Sequence, residues 1–278
     1  MNIKIITDST SDLPDQIARK LGITMVPLYV LFGKDTYRDR VDLSENEFYK
    51  RLIEGSVHPT TSQPSPQDFI KVYDKLSRNA EGIISIHISS KLSGTYSSAN
   101  QAAQKNSFSC PIEVIDSANV SMGLGLIVIG AAKLALMGED FDTIIVKTRQ
   151  MIEKIHVWAL FDTLKYLALG GRIGKAQALM GSMLNIKPVL TVKDGEMTPV
   201  TKSRNREKGI SILKGFVEKL DSIEDLAVMY TTNKKEADAF AELLKKTIGN
   251  KDIKVARLGT TLGVHAGPGT IGVAARVA

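Results

Sequence analysis

Residues Gly82-Ile83-Ile84-Ser85-Ile86-His87-Ile88-Ser89 run directly into Ser90-Lys91-Leu92-Ser93-Gly94-Thr95. This junction decides the fold. A short apolar run closed by a hydroxyl-rich loop that opens into a helix marks a strand buried in a parallel sheet. The same unit recurs on either side. Upstream, Ile3–Thr7 reads as an apolar strand, and Ser11-Asp12-Leu13-Pro14 can cap the helix that follows. Ser44-Glu45-Asn46-Glu47 is a capping box ahead of Phe48, Tyr49, Leu52 and Ile53, with Gly55 as the stop. Ser65-Pro66 reads as N-cap and first helical residue, and Phe69, Val72, Tyr73 and Leu76 then recur at helical spacing. Downstream, Ile112–Asp116 is another strand leading into a helix. Apolar strands alternating with amphipathic helices imply a doubly wound, mostly parallel α/β sheet.

The second half has a different rhythm. Val157–Phe161 and Lys187–Val192 read as strands, and Asp194-Gly195 is a hairpin turn signal between Val189–Val192 and Met197–Lys202. Helical periodicity covers Glu207–Leu220 and Lys235–Thr247, around a strand at Leu226–Thr231. Strand-like segments close the chain at Lys254–Leu258 and Thr270–Val277. The expected class is α/β with two domains. Residues 1–155 would form a Rossmann-like α/β domain, and 156–278 an α+β domain with an antiparallel or mixed sheet.

Composition narrows the function. The 278 residues carry 36 Lys and Arg against 30 Asp and Glu, a net charge of +6. Residues 165–214 alone hold ten basic and three acidic residues, so the surplus is one local segment. With Tyr166 as its sole aromatic, that segment lacks the interleaved rings of a single-strand nucleic-acid platform. Docking of a protein or an anionic ligand fits it better, and nucleic acid is not the expected partner. The single cysteine, Cys110, excludes a disulfide framework, and no Cys/His cluster has zinc spacing. No secretory signal precedes the first strand, and Met122–Met137 is short, glycine-interrupted and carries Lys133. A cytoplasmic location is expected.

Hydroxyl-rich loops hold the candidate chemistry. Asp8–Ser11, Ser89–Thr95 and Asp116–Ser121 follow strand ends, where open α/β sheets bind ligands. Thr60-Thr61-Ser62-Gln63-Pro64-Ser65 feeds another helix. Ser93-Gly94-Thr95 suits an anion, because glycine admits a close backbone approach and the hydroxyls donate. His265 lies in the glycine-rich stretch Gly263–Thr270. Gly267–Gly272 matches GxGxxG, but too little chain follows for a dinucleotide fold. Arg172 and Arg204 are the arginines best placed for a carboxylate or phosphate. No P-loop, nucleophile elbow or kinase signature occurs. Apolar Met122–Leu136 and Leu179–Leu184 suit either ordinary core or the walls of a long greasy pocket. Ser93 with His265 leaves a serine-type acyl hydrolase open as an alternative. A basic-patch nucleic-acid or regulatory binder is a further one.

Taken together, Thr7–Pro14, Thr61–Ser65, Ser89–Tyr96, Leu164–Gly174, Asn185–Pro188 and His265–Thr270 resemble, in order, the DegV family of bacterial fatty-acid-binding proteins. The resemblance implies a lipid pocket near the domain junction. It also implies a non-enzymatic carrier, without cofactor or metal, that presents a long-chain fatty acid to an ATP-dependent fatty acid kinase. The acyl phosphate would feed phospholipid synthesis, with transient contact to an acyltransferase or membrane surface. By motif match, Thr61, Ser62, Ser93, Gly94 and His265 would hold the carboxylate. Arg172 and Arg204 would serve the pocket mouth or the partner interface. One departure is Ala168-Leu169 ahead of Gly170-Gly171, where a polar or basic residue is expected.

Overall fold

The computed structural model describes residues 2–105, 107–182, 186–249 and 252–278. The first half supplies strands β1 (Ile3–Asp8), β2 (Thr24–Val26), β3 (Tyr29–Phe32), β4 (Asp35–Arg38), β5 (Thr60–Ser62), β6 (Gly82–His87) and β7 (Ile112–Asp116). Its helices are α1 (Asp15–Lys20), α2 (Glu45–Glu54), α3 (Pro66–Ser77), α4 (Thr95–Lys105), α5 (Met122–Leu136) and α6 (Phe141–Glu153). The second half adds β8 (Ile155–Leu160), β9 (Lys187–Lys193), β10 (Glu196–Ser203), β11 (Ile223–Tyr230), β12 (Ile253–Arg257) and β13 (Ile271–Val277). Its helices are α7 (Lys165–Leu169), α8 (Arg206–Val217), α9 (Lys234–Ile248) and α10 (Thr260–Ala266).

A parallel sheet of order β2-β1-β6-β7 carries the first half, as the alternating pattern predicts. The second half forms a mixed sheet of order β10-β9-β8-β13-β11-β12, in which only β11 and β12 pair in parallel. Asp194 and Gly195, at φ 53° and 77°, turn the chain from β9 into β10. Two positive φ angles in a two-residue loop match the right-handed twist of the strands.

Helix α5 joins the two sheets. Met122 through Ala132 are all buried, because one side faces the parallel sheet and the other the mixed sheet. Two glycines permit the close approach. A Cβ at Gly125 would lie 2.8 Å from the Ser11 carbonyl oxygen, and one at Gly123 2.6 Å from Val157. The apolar run is therefore core, and its own residues do not line the cavity described below. The outer faces are covered by α3 and α4 on the parallel sheet and by α8 and α9 on the mixed sheet.

Two details depart from the sequence reading. Residues 29–62 contain a small antiparallel sheet, β4-β3-β5, packed on α2, and Thr60–Ser62 is its edge strand rather than a loop. Three polar residues give too short an alternation to register as a strand. Helix α1 takes Pro14 as its N-cap with no side-chain cap bond. Ser11 and Asp12 are instead buried, and Asp12 serves another helix. By contrast, Ser65 and Asp68 make the full reciprocal capping box on α3, with Pro66 at the first position.

Candidate functional site

The C-terminal loops of β1 and β6, the N-terminus of α5, and α10 face one side of the mixed sheet. Between them lies a cavity of about 940 Å³, including the space open at its mouth. Its floor is set by register. Leu190, Ala159, Gly272 and Met229 stand directly opposite one another across β9, β8, β13 and β11. The two small residues sit in the middle of the row, which leaves a trough between a leucine and a methionine. Ile88, Leu92, Val120, Leu28 and Leu258 form much of the facing wall.

One group of polar side chains clusters around His265. Thr61, Ser62, Gln63, Ser93, Arg172 and His265 all line the cavity. Thr61 comes from β5, Ser93 from the loop after β6, and His265 from the last turn of α10. Thr61 Oγ1 lies 2.9 Å from His265 Nε2, in hydrogen-bond contact. Ser93 Oγ lies 2.9 Å from Thr95 Oγ1 and accepts from the Thr95 N–H. Gly94 does not line the cavity. It packs on Gln63, whose Nε2 would be 2.8 Å from a Cβ there. Arg172 is fixed by donating to the Leu92 and Gly170 carbonyl oxygens at 3.2 and 2.7 Å.

His265 is helical, not in a loop. The N-terminus of α10 is anchored by two buried carboxyl groups. Gly259 N–H donates to Asp12 Oδ1 at 2.8 Å, and Thr260 N–H and Oγ1 donate to Asp39 Oδ1 at 2.9 and 2.7 Å. Ser121 Oγ donates to Asp12 Oδ2 at 2.5 Å. Burial pushes the Asp12 carboxyl up to about 8, against the hydrogen bonds from Ser121 and Gly259. Beyond α10, Gly267 turns the chain at φ 70° under the Tyr166 ring. Arg206 then holds the turn by donating to the Gly269 carbonyl and to Asp162 at 2.6 and 2.9 Å.

Burial pulls the His265 imidazole down to about 4, helped by the nearby Arg172 and His58. The ring is therefore neutral at pH 7. Its Nδ1 is buried with no hydrogen-bond partner among the described residues. Gly170, the stop of α7, is what makes room for it: a Cβ there would sit 2.0 Å from Nδ1. The result is a cluster of neutral hydroxyls, a neutral imidazole and one arginine. Such a set can receive a carboxylate by hydrogen bonding.

A hydrolytic triad is not formed here. His265 pairs with Thr61 rather than Ser93, and no described carboxylate meets its Nδ1. An acid–histidine–hydroxyl chain does exist elsewhere, one that no sequence motif marks. Asp8 Oδ2 lies 2.9 Å from His87 Nδ1, His87 Nε2 lies 2.7 Å from Ser85 Oγ, and Tyr73 donates to Ser85 at 2.9 Å. Asp8, Ser85, His87 and Tyr73 are all 0% exposed, so no substrate reaches them. Sequence spacing could not pair residues 79 positions apart.

Arg204 follows β10 on the exposed surface and does not line the cavity. The basic segment around it is partly neutralised, since Arg206, Lys187, Lys175 and Lys214 are all in ion pairs. Lys193, Lys202, Arg204 and Lys208 remain exposed. Asn185 of the matched Asn185–Pro188 stretch, and Met183 and Leu184 of the apolar run, lie outside the described residues. Among those described, no group of three or more His, Cys, Asp or Glu could hold a metal, and no helix is long and apolar enough to cross a membrane.

Comparison with known proteins agrees in sequence and in shape. A family profile described as "Uncharacterised protein, DegV family" matches residues 2–277. A DegV domain-containing protein of Deinococcus radiodurans is 38% identical over 277 residues, covering 99% of this chain and 98% of that protein. A fatty-acid-binding DegV family protein from Thermus thermophilus superposes with a TM-score of 0.92 at 37% identity, covering 100% of both chains. DegV from Bacillus subtilis, described as a fatty acid binding protein, gives 0.91 at 31% identity, again over 100% of both. A stearic-acid-binding protein from Eubacterium ventriosum gives 0.89 at 28% identity, with 99% and 98% coverage. With a profile spanning nearly every residue and relatives matched end to end, the chain belongs to the DegV family.

Proposed function

We propose that this protein binds a long-chain fatty acid in the cavity and presents its carboxyl group to an ATP-dependent fatty acid kinase. The observation that carries the reading is the make-up of the cavity: a largely apolar trough in which Thr61, Ser62, Ser93, Arg172 and His265 supply a group of hydrogen-bonding side chains. Each buried methylene contributes roughly 0.8 kcal/mol, so a long chain offers large gross affinity. The carboxyl group, whose burial alone would cost several kcal/mol, finds donors in that group.

The carrier itself performs no chemistry in this scheme. The kinase would phosphorylate the presented carboxyl group, and the acyl phosphate would pass to phospholipid synthesis through an acyltransferase or at a membrane surface. Gly94 serves the carboxylate end by leaving Gln63 room to approach. Arg204, exposed among exposed lysines, would meet the kinase rather than the lipid. The test measures fatty-acid binding and kinase-dependent acyl phosphate formation side by side. Arg204→Ala should abolish acyl phosphate formation and leave binding intact. Unchanged turnover would remove Arg204 from the interface, and no turnover with the wild-type carrier would remove the kinase partnership.

A further inference from the structure

The carboxylate cluster leaves some of the cavity's polar groups unused. Thr261 precedes His265 by one turn on the same face of α10, a rise of roughly 6 Å. It lines the cavity, is 3% exposed, and its Oγ1 has no hydrogen-bond partner among the described residues. A buried hydroxyl left unpaired is unfavourable, so a group facing it that can pair gains affinity.

Two further hydroxyls flank the start of the same helix. Ser121 lines the cavity at the N-terminus of α5, in the left-handed region at φ 54°. It makes no cap bond to that helix. Its hydroxyl meets Asp12, which also takes the Gly259 N–H, so Ser121 and the first turn of α10 converge on one carboxyl group. Thr10, two residues before Asp12, also lines the cavity and donates to Asp8. Ser121 and Thr10 give their protons to carboxylates and keep acceptor positions, whereas Thr261 has both donor and acceptor free. Should the proton reside on Asp12, as its burial favours, Ser121 accepts from Asp12 and turns its own O–H outward. In either arrangement Ser121 retains one open position.

We propose that Thr261, Ser121 and Thr10 form a second polar station inside the cavity that binds an oxygen substituent on the acyl chain, making a hydroxylated long-chain fatty acid the preferred ligand. This rests on the reading that the ligand carboxylate sits at Thr61 and His265. A ligand hydroxyl donates to Ser121 or Thr10 and accepts from Thr261, while a keto oxygen can only accept. The station lies about one helical turn from the carboxylate cluster, so the substituent belongs in the carboxyl-proximal half of the chain.

The experiment is a binding titration of the delipidated full-length protein with stearic acid and a positional series of monohydroxystearic acids. One isomer hydroxylated in the carboxyl-proximal half should bind about three- to tenfold tighter than stearic acid, the range expected for one net hydrogen bond. Thr261→Val should erase that preference without weakening stearic acid, and Thr261→Ser should retain it. Stearic acid bound with no isomer tighter overturns the second station alone, as does a preference that survives Thr261→Val. Binding of neither class overturns the station together with the fatty-acid reading beneath it.

Discussion

Replacing Gly170 by alanine separates backbone from site. Gly170 has φ −79° and ψ −4°, ordinary helical values at which alanine is at ease. On backbone grounds alone the exchange stabilises by about 0.4–1 kcal/mol, through the unfolded chain. The new Cβ, however, would lie 2.0 Å from His265 Nδ1 and 2.6 Å from Cε1, where ordinary contact begins at 3.4 Å. The ring must therefore retreat by 3.4 − 2.0 = 1.4 Å. Its Nε2 holds Thr61 Oγ1 at 2.9 Å, and a movement of that size breaks the contact. Overpacking costs about 1–3 kcal/mol and the lost hydrogen bond about another 1. Gly170→Ala should lower the Tm of the ligand-free protein, reversing the backbone expectation. It should also weaken fatty-acid affinity tenfold or more, as about 1.4 kcal/mol is a factor of ten. Gly215 on α8 is the control: a Cβ there meets nothing within 4 Å. Gly215→Ala should raise stability by roughly 0.5–1 kcal/mol and leave binding alone. A Gly170→Ala protein with wild-type Tm and wild-type affinity in a fluorescent fatty-acid displacement assay would show that Gly170 does not make room for the His265 ring.

Other consequences follow from charge and shape. Asp12 titrates near 8 in the fold against 3.8 when free, so its contribution is full at low pH and is lost as pH rises towards 8. His265, near 4 in the fold against 6.5, acts oppositely: its contribution is full above 6.5 and is lost towards 4. Between pH 6.5 and 8 Asp12 acts alone of the two. A thermal-shift series should show Tm falling with pH in the wild type and flat in Asp12→Asn, and an equal slope in both would contradict the assignment. Below pH 6.5, His265→Gln should lose less stability on acidification than the wild type. Ala159→Leu fills the trough between Leu190 and Met229, so long-chain affinity should drop roughly tenfold and the preferred chain shorten. An unchanged chain-length profile would place the acyl chain elsewhere.

The parallel sheet was legible because its strands are continuous apolar runs ending in hydroxyl loops, a pattern local to each strand. The β9–β10 hairpin was legible for the same reason, since Asp194-Gly195 specifies its own turn. Helix α10 was not. Gly259, Gly263 and Gly267 make it read as a loop; Gly267 is its C-terminal turn at φ 70°, whereas tertiary packing explains Gly259 and Gly263. Gly263 admits Phe48 and Tyr49, which would lie 2.5 and 2.8 Å from a Cβ. The anchoring of α10 by Asp12 and Asp39 was equally hidden, because those contacts span more than 200 residues. His265 and Thr61 were each singled out, from a glycine-rich stretch and a hydroxyl cluster. Their direct contact depends on β5 and α10, neither of which the pattern disclosed. Thr261 carried no signal at all; a threonine becomes informative only once its hydroxyl is found buried and unpaired.

Fatty-acid binding is tested by native mass spectrometry of the protein purified from a bacterial host, followed by lipid extraction. The expected result is a mass excess equal to one long-chain fatty acid, recovered on extraction and diminished in a Thr61→Val, His265→Gln double variant. A bare polypeptide mass, together with no binding of added oleic or stearic acid, would contradict it.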